Sequence, residues 1–367
     1  MSTPARKVGF SSIFMIFMLF NGLLSHVIIN PILLDASGRD AWISVLLTAV
    51  IFIPWCAMLA FIINRSGRQK FQVWLASKTS PFLAWIMLTP LIIQLYLIGG
   101  MTVFQTSLWT VSNYMPATPP YVLVTVLVLV CYYASKKGLN VIAVCSGILL
   151  PAVVLLGYFV SIANIPEKNW ELLRPVLEHG WGNPISGMVY LGGAFSEIFL
   201  ILLLQHRIKK KVRAWQMMLL GVVLVYITLG PLVGAITEFG PIEAAKQMVS
   251  PYEQWRLVKL GNYIEHVDFL SVFQWLAGAA IRISLAQYLL ADLLPIKQEK
   301  LRNRVVLLLS LSFVATSLWA TYNIPFYLTM FEQYLIISCC VTAVLSIIWF
   351  MIACFSKPVH AKEGQTE

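Results

Sequence analysis

Glu197 and Arg282 are the residues of this chain whose chemistry most needs explaining. Glu197 lies in Gly-Gly-Ala-Phe-Ser-Glu-Ile-Phe-Leu and Arg282 in Ile-Arg-Ile-Ser, both inside long apolar runs. A charge at the bilayer centre costs at least about 2.5–3.5 kcal/mol on insertion scales, so it faces the protein interior and finds a partner. Arg282 is the only basic residue within such a run, and a buried Arg–Glu pair is the simplest way to place both. The pair is either structural or a switch that opens when a ligand arrives; both fit better than direct ligand contact.

Other residues have the spacing of a binding face. Ser186, Tyr190, Gly193 and Glu197 follow i, i+4, i+7, i+11 and share one side of a helix. Ser284 and Tyr288 are four apart and share a face. Arg282 sits about 200° around from Ser284. The expectation is that Ser284 and Tyr288 face a ligand while Arg282 faces a neighbouring helix. Tyr96 shares a face with Gly100, with Gln94 and Gln105 on another, and its hydroxyl can line the same cavity. For any one tyrosine, an interhelical hydrogen bond is the simpler use.

Asn21-Gly22, followed by Ser25 and His26, and Gly187 with Gly192-Gly193 are the weak points of two helical runs. Glycine lets a helix unwind and a ligand approach the backbone. Unwinding frees amides and carbonyls, and a half-helix N-terminus suits a carboxylate. Close helix packing is the other use of the same glycines. Glu332 and Asp268 fall at the edges of runs. The chain has no P-loop, no G-x-S-x-G, no H-E-x-x-H and no metal-ligand cluster, so it reads as no enzyme, with no cofactor and no metal. The histidines His26, His179, His206, His266 and His360 are scattered. Only His26 is near a candidate site, and a packed histidine is its default reading. The cysteines lie in apolar runs without C-x-x-C spacing and read as packing residues.

The elements that hold these residues are ten apolar runs, at about 9–34, 41–63, 81–111, 120–134, 139–163, 184–205, 213–237, 267–290, 305–322 and 332–355. A bilayer core of roughly 30 Å takes about 20 apolar residues as helix. The chain is 59% apolar and 11% charged, with mean hydropathy +0.79. This is an all-α integral membrane protein, one multi-pass domain over residues 1–367. Nineteen of the 26 Lys and Arg fall in one alternate set of connections, which the positive-inside rule makes cytoplasmic. Both termini, including the tail 356–367, are expected inside. The net charge of +10 is then a topology signal and calls for no nucleic-acid partner. The first run follows Arg6 and Lys7 but is too long for a cleaved signal, so it reads as a retained helix.

Five runs, over about 9–163, precede a long loop, and five, over about 184–355, follow it. An odd number sets the second half on the opposite side, which is the topology of a 5+5 inverted repeat with broken helices 1 and 6. The loop 164–183 carries Trp170 and Trp181 for the headgroup layer. The loop 238–266 contains a lid-like helix: Ser250 as N-cap, Pro251 at N1, Glu253 at N3 completing a capping box, and Gly261 as its end. A packed loop without a gating role is the alternative.

Three segments carry a family resemblance: Asp-Ala-Trp-Ile-Ser-Val-Leu-Leu at 40–47; Leu-Leu-Arg-Pro-Val-Leu-Glu-His-Gly at 172–180 leading to Gly193-Ala-Phe-Ser-Glu197; and Pro251-Tyr-Glu through Gly261-Asn-Tyr-Ile-Glu-His-Val-Asp268 to Trp275 and Ile281-Arg-Ile-Ser284. The chain resembles the GerAB-type spore germination proteins, the B subunits of endospore germinant receptors. The resemblance implies the amino acid–polyamine–organocation superfamily and a LeuT-like fold. It implies nutrient sensing at the spore inner membrane, with an A subunit and a lipoprotein C subunit as partners. It implies a pocket among spans 1, 3, 6 and 8, which on this chain points to Gly22, Tyr96, Gly192, Gly193, Ser284 and Tyr288.

Two functions then compete. A receptor subunit binds a small nutrient and passes a conformational shift to its partners. A secondary amino acid transporter couples substrate to a proton or sodium ion. A proton-coupled carrier wants a titratable group beside its substrate; Glu197 is the candidate, and a standing pair with Arg282 makes it unavailable.

Overall fold

Hydrocarbon offers backbone groups no partner, so each crossing segment bonds within itself as a helix. The computed structural model describes residues 7–259, 266–296 and 298–356. Arg6, Gly261, Lys297 and the tail from 357 lie outside them; the helix expected to end at Gly261 already ends at Leu257, within the described residues.

Ten helices are long and apolar enough to cross a membrane among the described residues. Helix 1 is composite: Phe10–Gly22, a π-helical stretch Leu23–Ile28, then Asn30–Ser37. Helix 2 is Ala41–Arg65, helix 3 Pro81–Asn113, helix 4 Pro120–Lys137 and helix 5 Leu139–Ala163. Helix 6 spans Gly182–Arg207, helix 7 Ala214–Phe239, helix 8 Phe269–Leu293, helix 9 Glu299–Thr321 and helix 10 Ile324–Phe355. Helices 1 and 2 are divided at Gly38, whose φ of +54° a side chain would resist. Helix 10 begins eight residues before its expected start, because Pro325 fits the first helical turn. Glu332 is thereby inside helix 10, on its exposed side.

The contacts repeat with a shift of five. Helix 1 packs on helix 5 as helix 6 packs on helix 10, and helix 2 packs on helix 6 as helix 7 packs on helix 1. That is the signature of two five-helix halves related by a pseudo-two-fold axis, the LeuT-like 5+5 inverted repeat. Helices 1, 6 and 8 are the most enclosed, and helices 4 and 5 form the rim.

Helices 1 and 6 are interrupted by changes of helix type, not by unwinding. In helix 1 the Ile29 amide reaches back five residues to the Leu24 carbonyl, at 3.0 Å. Pro31 explains the wide turn: it has no N–H and would clash with the carbonyl four residues back, and a π-turn relieves that clash. In helix 6, Gly182–Ser196 is α-helical and Glu197–Leu200 tightens to 3₁₀.

The lid helix runs Ser250–Leu257, with Val249 as its N-cap. The expected capping box does not form. The Val249 carbonyl already accepts the Tyr252 amide at 3.0 Å, so the helix starts one residue early. Ser250 Oγ is left buried without a partner, and Glu253 pairs with Arg256 at 3.0 Å. At the other end of the bundle Val8 pairs with Ile208 as an isolated bridge. Beside it Asp292 meets His206 at 3.2 Å and Arg207 at 3.3 Å.

Candidate functional site

The centre of the bundle is a closed polar knot. The Arg282 guanidinium donates twice to Glu197, from Nη1 to Oε2 and from Nη2 to Oε1, the second bond measuring 2.6 Å. Its Nη1 also donates to the Phe20 carbonyl at 2.8 Å, and Nε to Thr102 Oγ1 at 2.9 Å. The Phe20 ring lies 5.0 Å beneath the guanidinium carbon. Tyr334 donates its hydroxyl to Glu197 Oε1 at 2.8 Å. Asn21 Nδ2 donates to the Ala194 carbonyl at 2.7 Å. Helices 1, 3, 6, 8 and 10 are therefore bound to one ion pair.

This knot uses the backbone groups that a broken helix would offer a ligand. Phe20 and Ala194 sit just ahead of the two irregular turns, and side chains of the protein hold both carbonyls. The hollow lies to one side. A cavity of about 240 Å³ opens between helices 1, 5, 7 and 8 beneath the lid helix. Helix 1 contributes Met18, Gly22 and His26, spaced four apart on the face beside the π-turn. His26 donates from Nδ1 to the Ile227 carbonyl at 2.7 Å, which leaves Nε2 as the ring's other hydrogen-bonding atom. Helix 8 contributes Gln274, Trp275 and Gly278, and the lid contributes Tyr252, Gln254 and Trp255.

The six residues expected to form one pocket are not brought together. Gly22 lines the cavity. Gly192 and Gly193 face helix 10: a Cβ at Gly192 would meet Cys339 Sγ at 2.6 Å, and one at Gly193 would meet Leu335 Cα at 2.7 Å. They serve close packing, the alternative use of a membrane glycine. Tyr96 packs against Phe313 of helix 9, ring centroids 5.3 Å apart. It is Gln94, on the other face of helix 3, that reaches helix 6, with Nε2 3.4 Å from Ser196 Oγ. Ser284 faces helix 4, with Oγ 3.4 Å from the Cys131 carbonyl, and Tyr288 lies under Arg302 with the guanidinium carbon 5.0 Å from the ring centroid. The expected separation of faces on helix 8 exists with its roles exchanged: Arg282 points to the centre, Ser284 and Tyr288 away from it.

Sequence reasoning missed the roof. Trp109 stacks on Trp275 at 4.5 Å with their planes 2° apart, and Tyr252 meets Trp109 edge-on at 5.6 Å. Asp268 is no solvated edge residue, since the Tyr114 and Tyr252 hydroxyls reach its Oδ2 at 3.1 and 3.4 Å. Burial pushes both tyrosine hydroxyls above their ordinary range, so they remain donors. Trp255 Nε1 donates to Gln274 Oε1 at 3.0 Å, and Gln274 Nε2 donates to the Val153 carbonyl at 2.9 Å. One glutamine thus latches the lid to helices 5 and 8. Gln274→Leu is expected to cost about 1–3 kcal/mol by leaving a buried donor and acceptor unpaired. Thermal unfolding would read that loss, and amide exchange should rise first in Ser250–Leu257. Unchanged exchange there would show that the lid is held by something else.

Comparison with known proteins places this geometry. Residues 9–325 match the family model described as spore germination protein. The chain is 40% identical over 332 residues to spore germination protein XB of Bacillus anthracis, covering 90% of this chain and 93% of that one. Among solved structures, two mutant forms of the Eremococcus coleocola manganese transporter superpose with TM-score 0.50 at 12% identity, covering 95% of this chain and 81% of theirs. That likeness speaks to the fold alone and agrees with the five-helix repeat of contacts. The chain is a multi-pass membrane protein with a permease-like fold, and it belongs to the spore germination protein family.

Proposed function

We propose that the chain is the membrane subunit of a spore germinant receptor, and that a small nutrient binds in the cavity beneath the lid helix. The observation that carries this reading is where the cavity lies. It touches the π-turn of helix 1, the face of helix 8 next to Arg282, and the lid, all at once. A ligand there contacts three separate elements at once, so in this reading any change in how they pack is felt by the ligand. The ligand shifts the equilibrium between two such packings by its difference in affinity for them. The basic-rich connections favour cytoplasmic termini, and with them a lid on the outer side of the membrane, which in this reading is the spore inner membrane. The shift then passes to an A subunit and a lipoprotein C subunit. The central knot supports sensing over transport, because Arg282 holds Glu197 and the helix 1 carbonyl that a substrate or coupling ion would need.

Spores carrying Gly22→Leu test the site. A Cβ at Gly22 would meet only Ile227 Cδ1, at 3.5 Å, so a larger side chain grows toward the cavity more than into packed backbone. The nutrient response is expected to disappear while subunit levels stay normal. A normal response would refute the cavity as the nutrient site. Reconstituted protein that concentrates a labelled amino acid against its gradient would instead favour a secondary transporter.

A further inference from the structure

The lining of the cavity carries a second message. No Asp, Glu, Lys or Arg lines it among the described residues. Charged groups on the lining elements are already engaged: Arg282 with Glu197, Asp268 with Tyr114 and Tyr252, and Glu253 with Arg256. The π-turn of helix 1 keeps its internal hydrogen bonds, so it presents no free helix end to a carboxylate. A zwitterion entering here would bury two unpaired charges. What the walls offer is ring surface, from the Trp109–Trp275 stack, Tyr252 and Trp255. The lining's other polar groups are all neutral: His26 Nε2, the hydroxyls of Ser161, Tyr158 and Tyr226, and the already bonded side chains of Gln254, Ser271 and Gln274.

The way in is equally specific. On the lid side the roof is latched through Trp255, Gln274 and Val153. On the membrane side the wall is thin. Helix 7 exposes Trp215, Leu219, Val222 and Tyr226 at helical spacing, and helix 5 exposes Ile148, Leu155, Tyr158 and Ile162 in the same manner. These are the lipid-facing stripes of the two helices. Tyr226 and Tyr158, 56% and 50% exposed, belong both to those stripes and to the cavity lining. Gly157 and Gly230 lie beside them, and a Cβ at Gly230 would meet no atom within 4 Å. The Tyr158 and Tyr226 side chains meet each other there, so the lateral mouth of the cavity between helices 5 and 7 is spanned by this pair, which must part to admit a ligand.

We infer that this cavity selects an uncharged, ring-bearing molecule that reaches it from the lipid phase through the mouth framed by Tyr158 and Tyr226. The inference rests on the nutrient-site reading above and narrows its ligand class. Tryptophol and L-tryptophan share an indole ring and differ in the zwitterionic head, so they are the probes. Full-length protein in lipid nanodiscs is titrated with each, and the shift in unfolding temperature is read. Tryptophol is expected to stabilise the protein, with L-tryptophan at least about tenfold weaker. Gly230→Trp plugs the mouth and is expected to abolish the tryptophol shift without lowering the unfolding temperature of the free protein. Val223→Trp is the second plug, should the first fail to fold. Equal or tighter binding of L-tryptophan overturns selection against charge. Full tryptophol binding to both plugged variants overturns the lateral mouth. Failure of tryptophol to bind the parent protein overturns the proposal as a whole. The nutrient-site reading fails separately, through an intact response in Gly22→Leu spores.

Discussion

Glu197→Gln and Arg282→Gln are each expected to destabilise the protein by about 3–5 kcal/mol, the usual cost of leaving one member of a buried ion pair without its partner. The double substitution is expected to cost clearly less than the sum of the two. The geometry sets the size of the effect. Both side chains are at most 3% exposed, and Arg282 makes four hydrogen bonds to three residues on helices 1, 3 and 6. Replacing the carboxylate by an amide leaves a guanidinium in the bundle centre with no counter-charge, facing an amide oxygen, a hydroxyl and a carbonyl. Removing the guanidinium leaves a carboxylate with Tyr334 alone. Unfolding of the purified variants in nanodiscs measures the cycle, and simple additivity would mean that the pair is not coupled.

A second variant separates the two uses of the pair. Buried ion pairs are often replaceable by apolar groups of similar volume with little loss of stability. Glu197→Leu with Arg282→Met should therefore recover most of the stability lost by either Gln variant. If the pair is a switch, the nutrient response stays lost in that double variant. If the pair only fills space and joins helices, stability and response return together.

The ion pair could be read before any coordinates because a buried charge is expensive and only one basic residue was available to offset it. The orientation of helix 8 could not. Residues Ile281 through Ala291 are buried without a break, so the apolar pattern runs all round the helix and fixes no face. Angular spacing separated Arg282 from Ser284 and Tyr288 correctly, but nothing local says which side meets the centre. Helix 1 carried a stronger cue than the one used. Asn21-Gly22 marks the neighbourhood of the interruption, yet Pro31 supplies the mechanism, by deleting a donor four residues beyond Val27. The roof was illegible for a different reason. Trp109, Tyr252 and Trp275 come from three separate segments, and their stacking depends on tertiary placement that no spacing rule encodes. The lid starts one residue before the position the capping rule favours, Ser250, because the fold uses the non-helical backbone of Val249 as its N-cap.

Glycines 192 and 193 make the sharpest test of what the structure adds. Adjacent and identical in sequence, they should respond very differently to a single methyl group. At Gly193 a Cβ would run into the backbone of Leu335, with its carbonyl oxygen nearest, the carbonyl carbon at 2.6 Å and Cα at 2.7 Å. Backbone of a neighbouring helix cannot rotate aside, so helices 6 and 10 must separate. That separation also pulls Glu197 from Tyr334, one residue before Leu335. Gly193→Ala is expected to cost roughly 3 kcal/mol, the upper part of the range for overpacking. At Gly192 the nearest atom is Cys339 Sγ at 2.6 Å, the end of a side chain that can turn, with Cys339 Cβ at an ordinary 3.7 Å. Gly192→Ala should cost only about 0.5–1.5 kcal/mol, the price of one displaced rotamer. Cys339→Ala should erase even that, whereas no side-chain change at position 335 should rescue Gly193→Ala. Unfolding temperatures of the four proteins decide the matter. Equal losses at the two glycines would mean that helix 6 does not meet helix 10 in the register described, and the Glu197–Tyr334 bond would fall with it.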